Sequence, residues 1–187
     1  MARVPLIDDD DVDLAPLIAH LKRQRGGKLI NLYRVLLNSP PIAGAWLEFN
    51  SAVRYSTEVP ASLNELAILR VSVVNGAAYQ FRVHGPTHAL RAGLTEAQVQ
   101  AIAQWRESTL FSEVERATLA YVDAITRDIE PDDATYAAIK RHFSDRQIVE
   151  LTVLIAAYNM HTRVARALRI NVEADVEAPV HVQTPNP

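Results

Sequence analysis

Apolar residues recur along this chain at intervals of three and four, with polar ones between them, over most of its length. Leu14, Leu17, Ile18 and Leu21 draw one apolar stripe on a helix from Val12 to Gln24, which Gly26-Gly27 stops. A second helical segment, Leu29 to Asn38, ends before Pro40-Pro41, and a third runs from Ile42 to Arg54. Four later segments open with Ser/Thr-x-x-Glu/Gln, the spelling of a capping box in which side chains satisfy free amides at a helix start. They are Ser62 with Glu65, Thr95 with Gln98, Ser112 with Glu115 and Ser144 with Gln147. The first leads into LAILRVSVVNGAA, apolar almost all round and so expected to be buried on most sides. Glu113 to Arg127 and Asp132 to Phe143 are amphipathic. Asp145 to Ile170 is apolar in its first half and basic in its second, at Arg163, Arg166 and Arg169.

No alternating strand pattern is present, and VSVV, the one β-rich tetrapeptide, sits inside a helical run. The pattern predicts one all-α domain, a multi-helix bundle over residues 1–175, with 176–187 as an extended or frayed tail containing three prolines. Helices that are apolar beyond one stripe need partners on several sides, from a thick bundle or a second subunit. A homo-oligomer (dimer, trimer or hexamer) is therefore expected.

The formal charge of −3 gives no electrostatic case for nucleic acid or an anionic membrane as partner. No apolar run reaches the roughly 18 residues a transmembrane helix needs. The opening MARVPLIDDDDVDL lacks the layout of a signal peptide, so the expected location is cytoplasmic. The absence of cysteine has the largest consequence, because it removes disulfides, thiolate ligands and cysteine nucleophiles together.

Chemistry must then come from oxygen and nitrogen groups, and NGAAYQFRVHGPTHA, Asn75 to Ala89, concentrates them. His84 and His88 are four apart, a spacing that puts both imidazoles on one helical face. Two histidines do not complete a metal site, and Glu65, the one nearby acidic candidate for a third ligand, could reach them only through tertiary packing, so no metal is expected. Pro86 between them disturbs regular helix geometry. Composition alone favours hydrogen-bonded core or surface histidines as the reading of the pair. Glu65 fits the N3 slot of the Ser62 box, or alternatively a carboxylate orienting an imidazole. Gln80, an amide between aromatic Tyr79 and Phe81, is placed one turn before His84 to hydrogen-bond a polar ligand. Asn159, His161 and Arg163 form a second polar cluster; Asn159 and Arg163 share a face, where Arg163 is either a carboxylate clamp or a solvated surface group.

At these residues the chain resembles the carboxymuconolactone decarboxylase family, which shares its fold with the alkyl hydroperoxidase D proteins. The matching segment is NELAILRVSVVNGAAYQFRVHGPTHALRAGLTEAQVQAI, Asn64 to Ile102, and similarity extends over most of 40–170. The peroxidase branch carries Glu, then Cys-x-x-Cys, then His; the two cysteine positions fall on Ala77 and Gln80 here, so thiol-based peroxide reduction is excluded. The decarboxylase branch does not require that pair. Its implied activity is cofactor-free loss of carbon dioxide from a carboxylated lactone in aromatic catabolism. The resemblance implies His84 as imidazolium proton donor and Glu65 as the group that fixes its tautomer and raises its pKa. Tyr79, Gln80, His88, Asn159 and Arg163 are the expected substrate-binding residues, with a small carboxylic acid as substrate. Gln80 stands where the family commonly has a carboxylate, so no acid–base role is expected there.

Three function classes follow. The first is a decarboxylase-like lyase or isomerase; the second is a non-catalytic small-molecule-binding or scaffold protein on the same fold. The third is a metal-dependent enzyme using His84, His88 and a carboxylate.

Overall fold

A computed structural model describes residues 2–173, and the expected tail at 176–187 lies outside them. Among the described residues there are nine α-helices and no strand. They are α1 (Ala15–Gln24), α2 (Asn31–Leu36), α3 (Pro40–Tyr55), α4 (Ala61–Val74), α5 (Ala78–Val83), α6 (Glu96–Ala101), α7 (Glu113–Arg127), α8 (Asp133–Lys140) and α9 (Asp145–Ala167). The fold class read from periodicity holds, with element ends displaced by a few residues. VSVV lies within α4, as its apolar surroundings require.

Helix α4 is the axis of the bundle. Every residue from Leu63 to Ser72 is buried, so the helix has no solvent face, and α7 and α9 pack along it. Its apolar residues Leu66, Ile68, Leu69 and Val71 meet Leu119 and Val122 of α7 and Leu151, Leu154 and Ile155 of α9 in one cluster. A second cluster joins α1, α2 and the N-terminal part of α3 through Leu21, Leu36 and Leu47. The bundle thus satisfies α4 within a single chain, without requiring a second subunit to cover it.

Three of the four expected capping boxes form, at Thr95, Ser112 and Ser144. The fourth does not. Helix α4 starts at Ala61 behind Pro60, and no side chain caps it. Pro60 fixes its own backbone in an extended conformation that feeds the helix, and Glu65 is drawn inward by other partners.

Two irregularities position the chemistry. The turn from α4 to α5 passes through Gly76 at φ +59°, where Arg166 packs so closely that an added Cβ would come within 2.8 Å of its guanidinium. After α5 the chain widens into a π-helical turn, His84–Ala89, before Gly93 ends the segment at φ +101°. Pro86 has no amide hydrogen for a regular helical bond, and a π-turn accommodates that gap without breaking the helix.

Candidate functional site

Glu65 lies in the second turn of α4, and His84 opens the π-turn packed against it. His84 Nδ1 and Glu65 Oε2 are 2.7 Å apart, and both side chains are buried. The other carboxylate oxygen faces Arg54, in the last turn of α3, whose Nη2 lies 3.4 Å away. A carboxylate only accepts, so His84 donates from Nδ1 and leaves its Nε2 lone pair on the opposite side. There the Tyr158 hydroxyl stands 3.4 Å off, too long for a strong hydrogen bond. Nε2 is therefore loosely held and available to another partner.

That side opens on a cavity of about 340 Å³. Tyr79, Gln80, Val83, His84 and His88 line one wall, Tyr158 and His161 of α9 another, and Asn50 and Arg54 of α3 a third. Gln24, Arg25, Gly26 and the exposed Tyr55 border it nearer the surface. The volume lies at the low end for ligand sites, room for one substituted ring. Two larger hollows, bounded by the N-terminal segment and Glu173, are shallower and lie away from His84.

The charges lining this cavity are cationic, Arg25 and Arg54, with Glu65 held behind His84. Arg25 donates to the Tyr33 hydroxyl and to Ser51 Oγ, which anchor it in place. Burial acts most strongly on His84 and pulls its pKa below the ordinary imidazole value; Glu65 acts upward, as the resemblance implied, but is outweighed. Burial alone would raise the Glu65 carboxyl, yet the pull of His84, Arg54 and His88 holds it below the usual carboxylate range. The direction we draw from the pair is an ionised Glu65 beside a neutral His84. In that state Nε2 of His84 carries no proton. Burial and neighbouring His84 lower His88 to about 4, and burial lowers His161 to about 3.

Of the sequence-derived candidates, the structure brings together Glu65, His84, His88, Tyr79 and Gln80. His88 stands with its ring centroid 5.1 Å from that of His84. Glu65 is bonded to His84, and among the described residues no three carboxylate or imidazole side chains are grouped to hold a metal ion. Asn159 and Arg163 are not brought to the cavity. They do share a face, with Arg163 Nη1 donating to Asn159 Oδ1 at 2.7 Å, but Asn159 also joins Asn75 and Thr126, and Arg163 is exposed. The carboxylate clamp expected of Arg163 has no counterpart there; Arg54 and Arg25 are the arginines at the cavity.

Sequence reasoning missed Arg54, Tyr158 and Asn50, and grouped His161 with the wrong neighbours. His161 stacks on Trp46 at 4.6 Å and lies 4.9 Å from the Tyr158 ring. One signal was present: Tyr158 and His161 are three apart, a same-face spacing, and Tyr158 sits in the apolar half of its helix. Arg54 and Asn50 on α3 are likewise four apart, but nothing local marks that face as inward.

Comparisons with known proteins give the family and the fold. The model of the carboxymuconolactone decarboxylase family matches residues 40–124. A solved Agrobacterium tumefaciens protein of unknown function, with a suggested role in antioxidant defence as an AhpD protein, is 32% identical. The match covers 75% of this chain and 96% of that one, with a TM-score of 0.70. The uncharacterized protein YdfG of Bacillus subtilis (strain 168) is 27% identical over 114 residues, 60% of this chain and 77% of that protein. The debrominase Bmp8, solved with 2,3,4-tribromopyrrole, shares the fold at 22% identity and a TM-score of 0.77, over 93% of this chain and 92% of its own. The matched segment contains Arg54, Glu65 and His84, and the fold is shared along most of the chain: this chain belongs to the carboxymuconolactone decarboxylase family, on the alkyl hydroperoxidase D-like fold.

Proposed function

We propose that this chain is a cofactor-independent, decarboxylase-like lyase or isomerase for a small carboxylated cyclic acid, with His84 moving the proton. One observation carries the reading. A buried Glu65–His84 pair presents its loosely held Nε2 to a ring-sized cavity whose lining charges are arginines. Arg54 and Arg25 supply charge-assisted donors for the substrate carboxylate. Glu65 holds the Nδ1–H tautomer and stabilises the imidazolium that forms when Nε2 takes a proton.

Both reaction types balance on these groups. In an isomerisation, Nε2 removes a proton from the carbon beside a carbonyl. The electron pair enters the conjugated system as an enolate; the proton on Nε2 exchanges with solvent, and His84 delivers one proton to a different carbon. In a decarboxylation, the anionic substrate raises the His84 pKa as it binds, and His84 takes up a proton from solvent. The carbon–carboxylate bond then breaks, its electron pair passes to the ring carbonyl as an enolate, carbon dioxide leaves, and His84 protonates the carbon. A debrominase of this fold captured with a tribromopyrrole accords with a ring-sized ligand. Thiol-based reduction has no nucleophile here, since Ala77 and Gln80 occupy the two cysteine positions.

The test is a panel of carboxylated lactones in deuterated water, read for carbon dioxide release and for deuterium at ring carbons. The wild-type chain is expected to turn over at least one member, and His84→Asn to lose about 10²–10⁴-fold in rate with its fold intact. An unchanged rate in that variant sinks the mechanism. The second reading is a binding protein, and the buried, unpartnered polar groups of the cavity favour it as well. Binding of panel members by wild type without any turnover selects it.

A further inference from the structure

The cavity contains more polar capacity than its own residues use. Both side-chain polar atoms of Gln80, Oδ1 of Asn50 and Nε2 of His161 are buried without a hydrogen-bond partner. All three residues line the cavity, and they are only 2%, 2% and 7% exposed. Each buried polar group left unmade costs about 1–3 kcal/mol, a penalty folded proteins rarely leave unanswered. Asn50 Nδ2 is already committed to the Trp46 carbonyl at 2.8 Å, which fixes its Oδ1 as the free atom, an acceptor. Gln80 offers a free acceptor and free donors side by side.

This arrangement discriminates among ligand groups. A carboxylate only accepts, so it cannot satisfy Gln80 Oε1 or Asn50 Oδ1, which are acceptors themselves. A primary carboxamide is matched by an edge with one donor and one acceptor adjacent, as in a lactam or cyclic imide. Two parallel bonds then form, ring N–H to Oε1 and Nε2–H to ring C=O. A second ring N–H answers Asn50 Oδ1, and His161 Nε2 meets a further polar atom in whichever tautomer the ligand requires.

We propose that Gln80, Asn50 and His161 form a specificity subsite for a ring carrying an adjacent donor–acceptor edge, while Arg54 receives the carboxylate. The proposal rests on the reading of the cavity as a site for a carboxylated ring, and narrows that class to lactam- or imide-bearing acids.

Three probes test it by calorimetric titration of the full chain: orotate, with a carboxylate and imide edges; benzoate, with a carboxylate alone; and uracil, with the edges alone. Wild type is expected to bind orotate about tenfold or more tighter than benzoate, as one or two buried hydrogen bonds imply. Gln80→Met is expected to bring orotate down toward benzoate and to leave benzoate unchanged. Wild type binding orotate no tighter than benzoate, including no measurable binding of either, overturns the subsite. So does a Gln80→Met variant that weakens both acids equally. The wild-type comparison needs no variant, so the proposal stays open to refutation whatever Gln80→Met does to folding. Arg54→Met separates the underlying reading: it should weaken orotate and benzoate together and spare uracil. If it leaves both acids untouched, the carboxylate assignment fails, and the orotate–benzoate difference with the uracil titration still decides the subsite.

Discussion

Helix α4 carries two buried ionic clusters five residues apart, at Glu65 and at Arg70, and they differ in how completely they are satisfied. Arg70 makes a two-point contact with Asp123 of α7, Nε to Oδ1 at 2.5 Å and Nη2 to Oδ2 at 3.0 Å. Its remaining nitrogen donates to the carbonyls of Ile102 and Ala103. Asp123 also accepts from Trp105 Nε1 and Arg106 Nη2. Each nitrogen of that guanidinium has a partner, and the cluster ties α4 to α7 and to the segment after α6. At Glu65 both carboxylate oxygens are engaged, but His84 Nε2 has only the long contact to the Tyr158 hydroxyl, and on the walls of the same cavity Gln80, Asn50 and His161 hold polar atoms without a partner. A saturated buried network specifies structure; one that ends in unpartnered donors and acceptors beside a cavity is the observation on which the proposed ligand site rests.

The largest expected effect tests that contrast directly. Asp123→Ala strands a buried guanidinium and is expected to lower stability by about 3–5 kcal/mol in urea denaturation. Glu65→Gln keeps an acceptor for His84 and is expected to lower it by about 1 kcal/mol. On a turned-over substrate the same Glu65→Gln should reduce kcat and move the acid limb of the pH profile downward, because Glu65 acts to raise the His84 pKa. Equal stability losses at the two positions, or an acid limb that does not move, would erase the distinction between the clusters.

The fold was legible because helical periodicity, caps and the all-round apolar character of LAILRVSVV are local properties. Glu65 and His84 were legible as candidates through the family pattern, though the Ser62 box misread the local role of Glu65. The box spelling was right, but the inward pull of His84 and Arg54 won over capping. Half of the cavity was not legible, since Arg54, Asn50, Tyr158 and His161 come from α3 and α9, far along the chain from the histidine turn. Which face of α9 looks inward is decided by packing on α4, and that choice sent His161 to the cavity and Arg163 to the surface. The net direction of the His84 pKa is also a tertiary outcome: a Glu partner argues for a rise, and only the depth of burial reverses it.

A middle-sized effect sharpens the comparison through pH. His84, His88 and His161 are all pulled below 6.5 in the folded chain, so the unfolded chain binds more protons just beneath that value. Their contribution to stability is full above pH 6.5 and is lost as pH falls through the window down to the folded values. For His161, with a folded value of about 3, the loss between pH 6.5 and 5 is on the order of 2 kcal/mol. Glu65, depressed in the folded state, adds a further loss only below its ordinary 4.5, as pH falls toward its folded value. Urea midpoints at pH 7.5 and 5 should therefore diverge in wild type and draw together in His161→Gln. The same divergence in both proteins would remove His161 from the acid-sensitive end.

The smallest effect concerns where Glu65 belongs. If it serves the cavity and not the start of its own helix, Ser62→Ala should change stability by no more than about 0.3 kcal/mol, since Ser62 caps nothing. Ser144→Ala removes a side chain that accepts from the Gln147 amide, and it should cost about 1 kcal/mol. The two serines have the same box spelling and opposite structural roles, so thermal melts of the pair measure the difference without touching the cavity. A Ser62→Ala loss matching that of Ser144→Ala would return Glu65 to its helix start and weaken its assignment to His84.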